Sequence, residues 1–305
     1  MKAFRITGAL AVLAAVCTIT PAALAATQPN LRTAATFSVL SSSYTNTAIG
    51  TTLNGDLGYT TPPAVSPNVT GTTHVANAVY NQAGIDQATA LAALNGEPCT
   101  YTFPSGAIDL ASDTSRGGTA GEFAPGVYCI NGAASIDGGA TITLNGTGIY
   151  IFRSTGALDT SSNSIVLATN GASACNAFWA PAAATTLGAN STFIGTIIDP
   201  AGITVGSTVA WTGRALAFGG TVTTATDTIN TVPACATNAS SGTTGAAAGG
   251  GAGAGSSAAT ANAAKTPGLP NSGNAAPSSN LPLWSLLTAV PVLSAAVYLF
   301  TRKRI

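Results

Sequence analysis

Three stretches of this chain align at intervals of 18 and 19 residues: residues 185–193 (TTLGANSTF), 203–211 (ITVGSTVAW) and 222–229 (VTTATDTI). Thr186, Thr204 and Thr223 hold the same place in each. A period this short is too brief for helical repeats or propeller blades. It fits one turn of a β-solenoid, in which each short strand pairs in parallel with the strand one turn below. Apolar and polar residues alternate within each stretch, as in a strand with one buried face, and Gly or Asn recurs where the chain must bend.

Alternation then sorts the side chains. Leu187, Ile203, Val205 and Val222 are expected to face a narrow core, and Thr186, Thr204 and Thr223 to face outward, one above another. A looser copy at residues 157–165 adds Thr160 and Asn163, and the turns add Asn190 and Thr208. These seven residues are the candidate site. One segment departs from the strand period. Residues 75–94 place Val75, Val79, Ala83, Ala88, Leu91 and Leu94 at helical spacing, with Gly96 and Pro98 beyond. A single amphipathic helix is expected there, covering one side of the stack.

Charge restricts the chemistry. Only 7% of the 305 residues are charged, and all ten carboxylates fall between Asp56 and Asp227. Arg32, Arg116, Arg153 and Arg214 leave that region at a net −6, without the basic footprint that a nucleic-acid partner requires. The region has no lysine and one histidine, His74, with no sequence-local partner, so no nucleophile–base pair is expected and the chain is read as no enzyme. Asp159, Asp199 and Asp227 read as solvated turn carboxylates or as holders of a calcium ion that stabilises a turn, without a functional calcium site, and Arg214 as a partner of a carboxylate or of backbone carbonyls. No metal or cofactor is expected: no cysteine pair has C-x-x-C spacing. Cys99, Cys129, Cys175 and Cys235 instead suit disulfides in an exported chain; three pairings are possible, and we favour Cys99–Cys129 with Cys175–Cys235.

Both ends carry targeting patterns. Lys2 and Arg5, an apolar run, and Ala23-Leu24-Ala25 make residues 1–25 a signal peptide. Residues 26–235 are the folded domain. Residues 236–268, almost all Ala, Gly, Ser and Thr, are a flexible linker with a reach on the order of 30 Å. Residues 269–305 begin with Leu269-Pro270-Asn271-Ser272-Gly273, continue into an uncharged stretch at 281–300 and end in Arg302-Lys303-Arg304. This order resembles a Gram-positive cell-wall sorting signal, with Ser272 in place of the usual Thr. It implies a sortase and peptidoglycan as partners, and a membrane span. A plain tail anchor is the other possibility; either way the domain is extracellular, held at the wall or the plasma membrane.

The domain itself resembles the microbial ice-binding-like family of β-solenoid antifreeze proteins and adhesins. The matching segments are residues 35–47 (ATFSVLSSSYTNT), 53–65 (LNGDLGYTTPPAV), 123–128 (FAPGVY), 149–158 (IYIFRSTGAL), 174–197 and 209–229. The resemblance implies a mostly β fold: a discontinuous right-handed parallel β-solenoid of triangular cross-section, with one long α-helix alongside and the N-terminal part completing the stack beside the C-terminal turns. It implies an ice crystal surface as partner, met by a flat face. A turn pattern found in some members, Thr-Ala/Gly-x-Thr/Asn, is approximated by residues 224–227, 187–190 and 205–208, the first ending in Asp227. Threonine suits such a face because a methyl that water cages sits beside a hydroxyl that water can bond. The alternative is an adhesin that uses the same face for polysaccharide or another cell.

Overall fold

The computed structural model describes residues 26–233. The signal peptide, the linker, the sorting motif, the apolar stretch at 281–300 and Cys235 lie outside them. Within them the chain is mostly β, with one α-helix, and every strand pairing is parallel. Among the described residues no helix is long and apolar enough to cross a membrane.

The pairings resolve into three ladders. In the first, strands Ile108–Asp109, Ala134–Ile136, Leu158–Thr160, Thr185–Leu187 and Ile203–Val205 stack in order, continued by the ends of Ala210–Thr224 and Phe37–Asn46. A tight turn leads to the second ladder, which includes Thr141–Asn145, Ile165–Thr169, the start of Thr192–Ile198 and of Ala210–Thr224, Thr228–Asn230 and Thr52–Asn54. The third holds Tyr101–Thr102, Gly126–Ile130, Tyr150–Ser154 and Ala177–Pro181, then the middle of the two long strands, and Phe37–Asn46, Asp56–Tyr59 and Thr73–Val75. The N-terminal strands thus seat themselves on the last C-terminal ones, as the family resemblance implied.

Alternation sends one side chain of each pair inward. Leu187, Ile203, Val205 and Val222 are all buried, as expected from their parity. Inside the third ladder the aromatic rings pile along the stack: Tyr128 on Phe152 with centroids 5.1 Å apart, and Phe152 on Trp179 at 4.2 Å and 11°. The buried indoles are satisfied, Trp179 donating to the Ile194 carbonyl and Trp211 to that of Gly195. Gly195, at φ +106°, marks the corner between ladders two and three. A Cβ there would stand 2.8 Å from both the Trp179 Nε1 and the Ala177 carbonyl oxygen, so only glycine lets that corner close over the indole.

The outer side of the third ladder is apolar: Val127, Ile151, Phe178, Ile198 and Leu216 form a second cluster under the helix α1, Ala78–Gly96. Asn77 caps its start, accepting from the Tyr80 N–H at 2.9 Å. At the other end the Arg153 guanidinium donates to the Leu94 and Asn95 carbonyls, a cation at the negative pole of the helix. The expected helix is present but its buried stripe is not the one anticipated. Val75 belongs to a strand, and Val75 and Val79 are exposed, at 53% and 40%. Ala83 and Leu94 of the expected stripe are buried, and the rest of the buried side is Tyr80, Gly84, Asp86, Gln87 and Ala90. Two of these are polar because they bond across the seam. Asp86 accepts from the Thr33 N–H and Gln87 from the Phe218 N–H, both at 3.0 Å. Gly84 is required by contact, since a Cβ would lie 2.5 Å from the Phe218 ring.

Cys99 and Cys129 form a disulfide, tying the segment after α1 to the third ladder. Cys175 is also disulfide-bonded, and its expected partner Cys235 is outside the described residues.

Candidate site: an uncharged threonine face

Thr186, Thr204 and Thr223 are direct register partners, and Thr45, missed by the sequence reading, continues the column beyond Thr223. Thr45, Thr186 and Thr204 are exposed and Thr223 is half-buried. Parallel strands repeat at about 4.7–4.9 Å, so four methyl–hydroxyl pairs stand in a row at that interval. Below Thr186 the same column continues as Asp159, Ser135 and Asp109.

Next to the column runs a second row, made by the turns. Asn163, Asn190, Thr208 and Thr226 all have φ between +58° and +64°. They are linked rung to rung: the Asn163 N–H donates to the Ala189 carbonyl, the Asn190 N–H to Ser207 and the Thr208 N–H to Ala225. Asn tolerates this left-handed backbone, but for a β-branched residue it is an outlier. Each threonine gains local compensation. The Thr226 hydroxyl donates to the Ala225 carbonyl at 2.6 Å, and the Thr208 hydroxyl to the Ser207 carbonyl and the Asn190 Oδ1.

Beyond the turns, the second ladder presents outward Thr141, Ile165, Thr192, Ala210, Thr228 and Thr52 in one register line. Apart from the buried Arg214 of Ala210–Thr224, none of the strands bearing this line or the Thr45–Thr186 column contains a charged residue. The sequence reading missed this second line, which takes the first residue of each strand, because it assigned outward residues only on the first-ladder strands. Its signal was present in the alternation of Thr192, Phe193 and Ile194 with Ala210, Trp211 and Thr212.

Of the seven candidate residues, six stand on this corner. Thr160 does not: it is 6% exposed. Its strand places Asp159 beside Thr186, so Thr160 falls beside Leu187 and faces inward. Its hydroxyl accepts from the Gly188 N–H at 2.9 Å.

The carboxylates also depart from expectation. Asp159 is exposed, but Asp199 and Asp227 are completely buried rather than solvated. The turn after Thr223 is one residue shorter than the turn after Thr204, so Thr226, not Asp227, takes the place of Thr208, and Asp227 turns inward beside Val209. Its two oxygens accept from the Val209 N–H at 2.9 Å and the Ala225 N–H at 2.6 Å, pinning adjacent turns together. Burial pushes its carboxyl up to about 6 despite those bonds. Nearby, the Tyr44 and Thr224 hydroxyls lie 2.7 Å apart, and Thr224 and Thr51 both donate to the Asn46 Oδ1. Burial and the adjacent Asp227 raise the Tyr44 phenol to about 12. Asp199 accepts from Thr185 at 2.7 Å and is likewise raised by burial. Asp227 therefore fixes turns whose outer faces form the row, and Asp199 fixes the corner that leads back into the first ladder.

Arg214 donates to the Ala35 and Val232 carbonyls, as anticipated for a strand arginine; burial lowers it to about 10. His74, expected to be isolated, lies 3.7 Å from Asp56 and 3.1 Å from the Asn77 amide, and so steadies the helix cap. Among the described residues no group of three or more His, Cys, Asp or Glu side chains could hold a metal ion.

A family model described as ice-binding-like matches residues 5–230. An ice-binding protein of Flavobacterium frigoris is 30% identical over 196 residues, 62% of this chain and 71% of its own. One from a Nostoc species is 31% identical over 223 residues, 68% and 76% of the two chains. The crystal structure of an ice-binding protein from the Antarctic ascomycete Antarctomyces psychrotrophicus superimposes with a TM-score of 0.58 at 26% identity, covering 68% of this chain and all of that one. A second, from an Antarctic biological consortium, gives 0.59 at 27%, covering 68% and 93%.

Proposed function

The chain belongs to the ice-binding-like family, and from that premise we propose that it binds ice through the corner where the Thr45–Thr186 column meets the turn row. The observation that carries this is the register itself: Thr186, Thr204, Thr223 and Thr45 succeed one another without a gap on strands whose one charged residue, Arg214, is buried. A surface that orders water into a lattice needs fixed spacing and anchors of moderate strength. The parallel backbone supplies the spacing. Threonine supplies the anchors without the tight, misdirected hydration of a charged group. Asn163, Asn190 and Thr208 widen the contact, and the line from Thr141 to Thr52 extends it around the corner.

The same reading takes the three ladders as sides of a right-handed coil of triangular section, in keeping with the hand that parallel crossovers take. It takes the chain as exported and held at the cell surface, through a sortase acting at Leu269–Gly273 and peptidoglycan, or through a membrane span alone. Mass spectrometry of wall digests for a terminus after Ser272 separates these two.

Thermal hysteresis and ice-recrystallisation assays on the protein test the main claim. Activity is expected, and Thr204→Tyr is expected to remove most of it with the melting temperature little changed, because the site is exposed. Full activity in that folded variant would clear this column of any role.

A further inference from the structure

At the end of the stack farthest from Thr45, a cavity of about 480 Å³ opens between Tyr101, Arg116, Glu122 and Tyr128, under the turn of Gly117 and Gly118. We propose that it is a binding site for a neutral saccharide, separate from the ice-facing corner.

Its parts match the two faces of a pyranose. Tyr101 is half-exposed, its ring held edge-on to Phe103 with centroids 5.0 Å apart and its hydroxyl donating to Ser115. A ring steadied at both ends is a platform for the C–H face of a sugar. The Arg116 side chain is only 9% exposed. Its guanidinium lies 3.8 Å from the Phe123 centroid and its Nη1 donates to the Glu122 carbonyl, but Nε and Nη2 have no hydrogen-bond partner. Buried donors left unpaired are costly, and a guanidinium is built to bond two adjacent oxygens at once. Vicinal sugar hydroxyls present such a pair.

Charge selects among ligands. Arg116 and Glu122 both line the cavity, and Asp113, outside that lining, stands 3.8 Å from the Arg116 Nε, so the site has one cation and two carboxylates in or beside it. An anion meets two like charges and a cation meets the arginine, whereas a neutral polyol uses donors and acceptors alike. The Glu122 carboxylate already accepts from Asn145, which fixes it as an acceptor. Gly117 and Gly118 also line the cavity, with φ of +72° and +79°, and a Cβ on either would meet nothing within 4 Å.

Titration of the protein with glucose, mannose and N-acetylglucosamine, followed by calorimetry and saturation-transfer NMR, tests the assignment. At least one sugar is expected to bind saturably in the millimolar range. Tyr101→Ala and Glu122→Gln are each expected to weaken it about tenfold or more, with thermal hysteresis unchanged. Saturation transfer from the Tyr101 ring in the unaltered protein supplies a readout that does not depend on either variant folding. Absence of binding by all three sugars to roughly 100 mM, binding indifferent to both substitutions, or a preference for inorganic phosphate would each overturn it.

Discussion

One ladder carries two different surfaces. From Thr45 to Thr186 its outward column is threonine on four successive strands; from Asp159 to Asp109 it is aspartate, serine and aspartate on the next three. The backbone is the same parallel stack in both halves, and so is the inward parity. On the proposed reading, spacing alone does not make an ice surface. The outward residue decides, and in the lower half it is charged: Asp159 is exposed, and Asp109 accepts from the Ala111 N–H and from Ser112 in its own turn.

The sharpest way to break this contrast is to place the same bulk in each half. Thr204→Tyr should abolish most thermal hysteresis, whereas Asp159→Tyr, two strands below, should leave it near the starting value. Equal losses would mean that both halves touch ice and that charge is tolerated. A second large effect falls on stability instead. Replacing Cys99 and Cys129 by Ala removes a cross-link at the aspartate end, spanning a sequence separation of 30. By loop entropy this should cost about 3.7 kcal/mol in chemical denaturation, with hysteresis retained in the cold where the domain stays folded.

The third test is acid. Asp227 belongs to the threonine half, and its carboxyl is raised from 3.8 to about 6 by burial. A group raised in the folded state contributes stability that is complete below its unfolded value and is lost as pH climbs through the folded one. Melting temperature should therefore rise by a few degrees between pH 7 and pH 5, the shift in Asp199 acting in the same direction. Asp227→Asn should flatten most of that rise. The smallest effect is expected at the strained turn. Thr208→Asn, at φ +62°, should stabilise by up to about 1 kcal/mol in urea denaturation, because asparagine accepts the left-handed backbone, while hysteresis declines slightly.

The upper half was legible in the sequence for a definite reason. Three successive repeats keep one length from the start of the first-ladder strand to its outward threonine, so parity could be read without error. Where a repeat drifts, the reading fails. Thr160 was placed outward because it is a threonine near the right interval, but a single-position shift in a strand exchanges the faces, and its strand is anchored by Leu158 against Thr185. The missing residue after Thr224 hid the inward turn of Asp227 in the same way. On α1, apolar spacing was a poor guide because the buried stripe spends two positions on Asp86 and Gln87, whose partners Thr33 and Phe218 are remote in sequence. Thr45 went unrecognised because the resemblance sets the N-terminal part beside the last turns without giving the register that pairs it with Thr223.

That last adjacency governs how the molecule is made. Asn46 and Thr224 bond across 178 positions, so an early strand must wait, without its seat, until nearly all of the domain has been synthesised. Such distant pairing slows folding and favours assembly after the whole segment is available. A chain translocated before it folds meets that requirement without conflict, and its most sequence-distant threonine neighbours become the last to find each other.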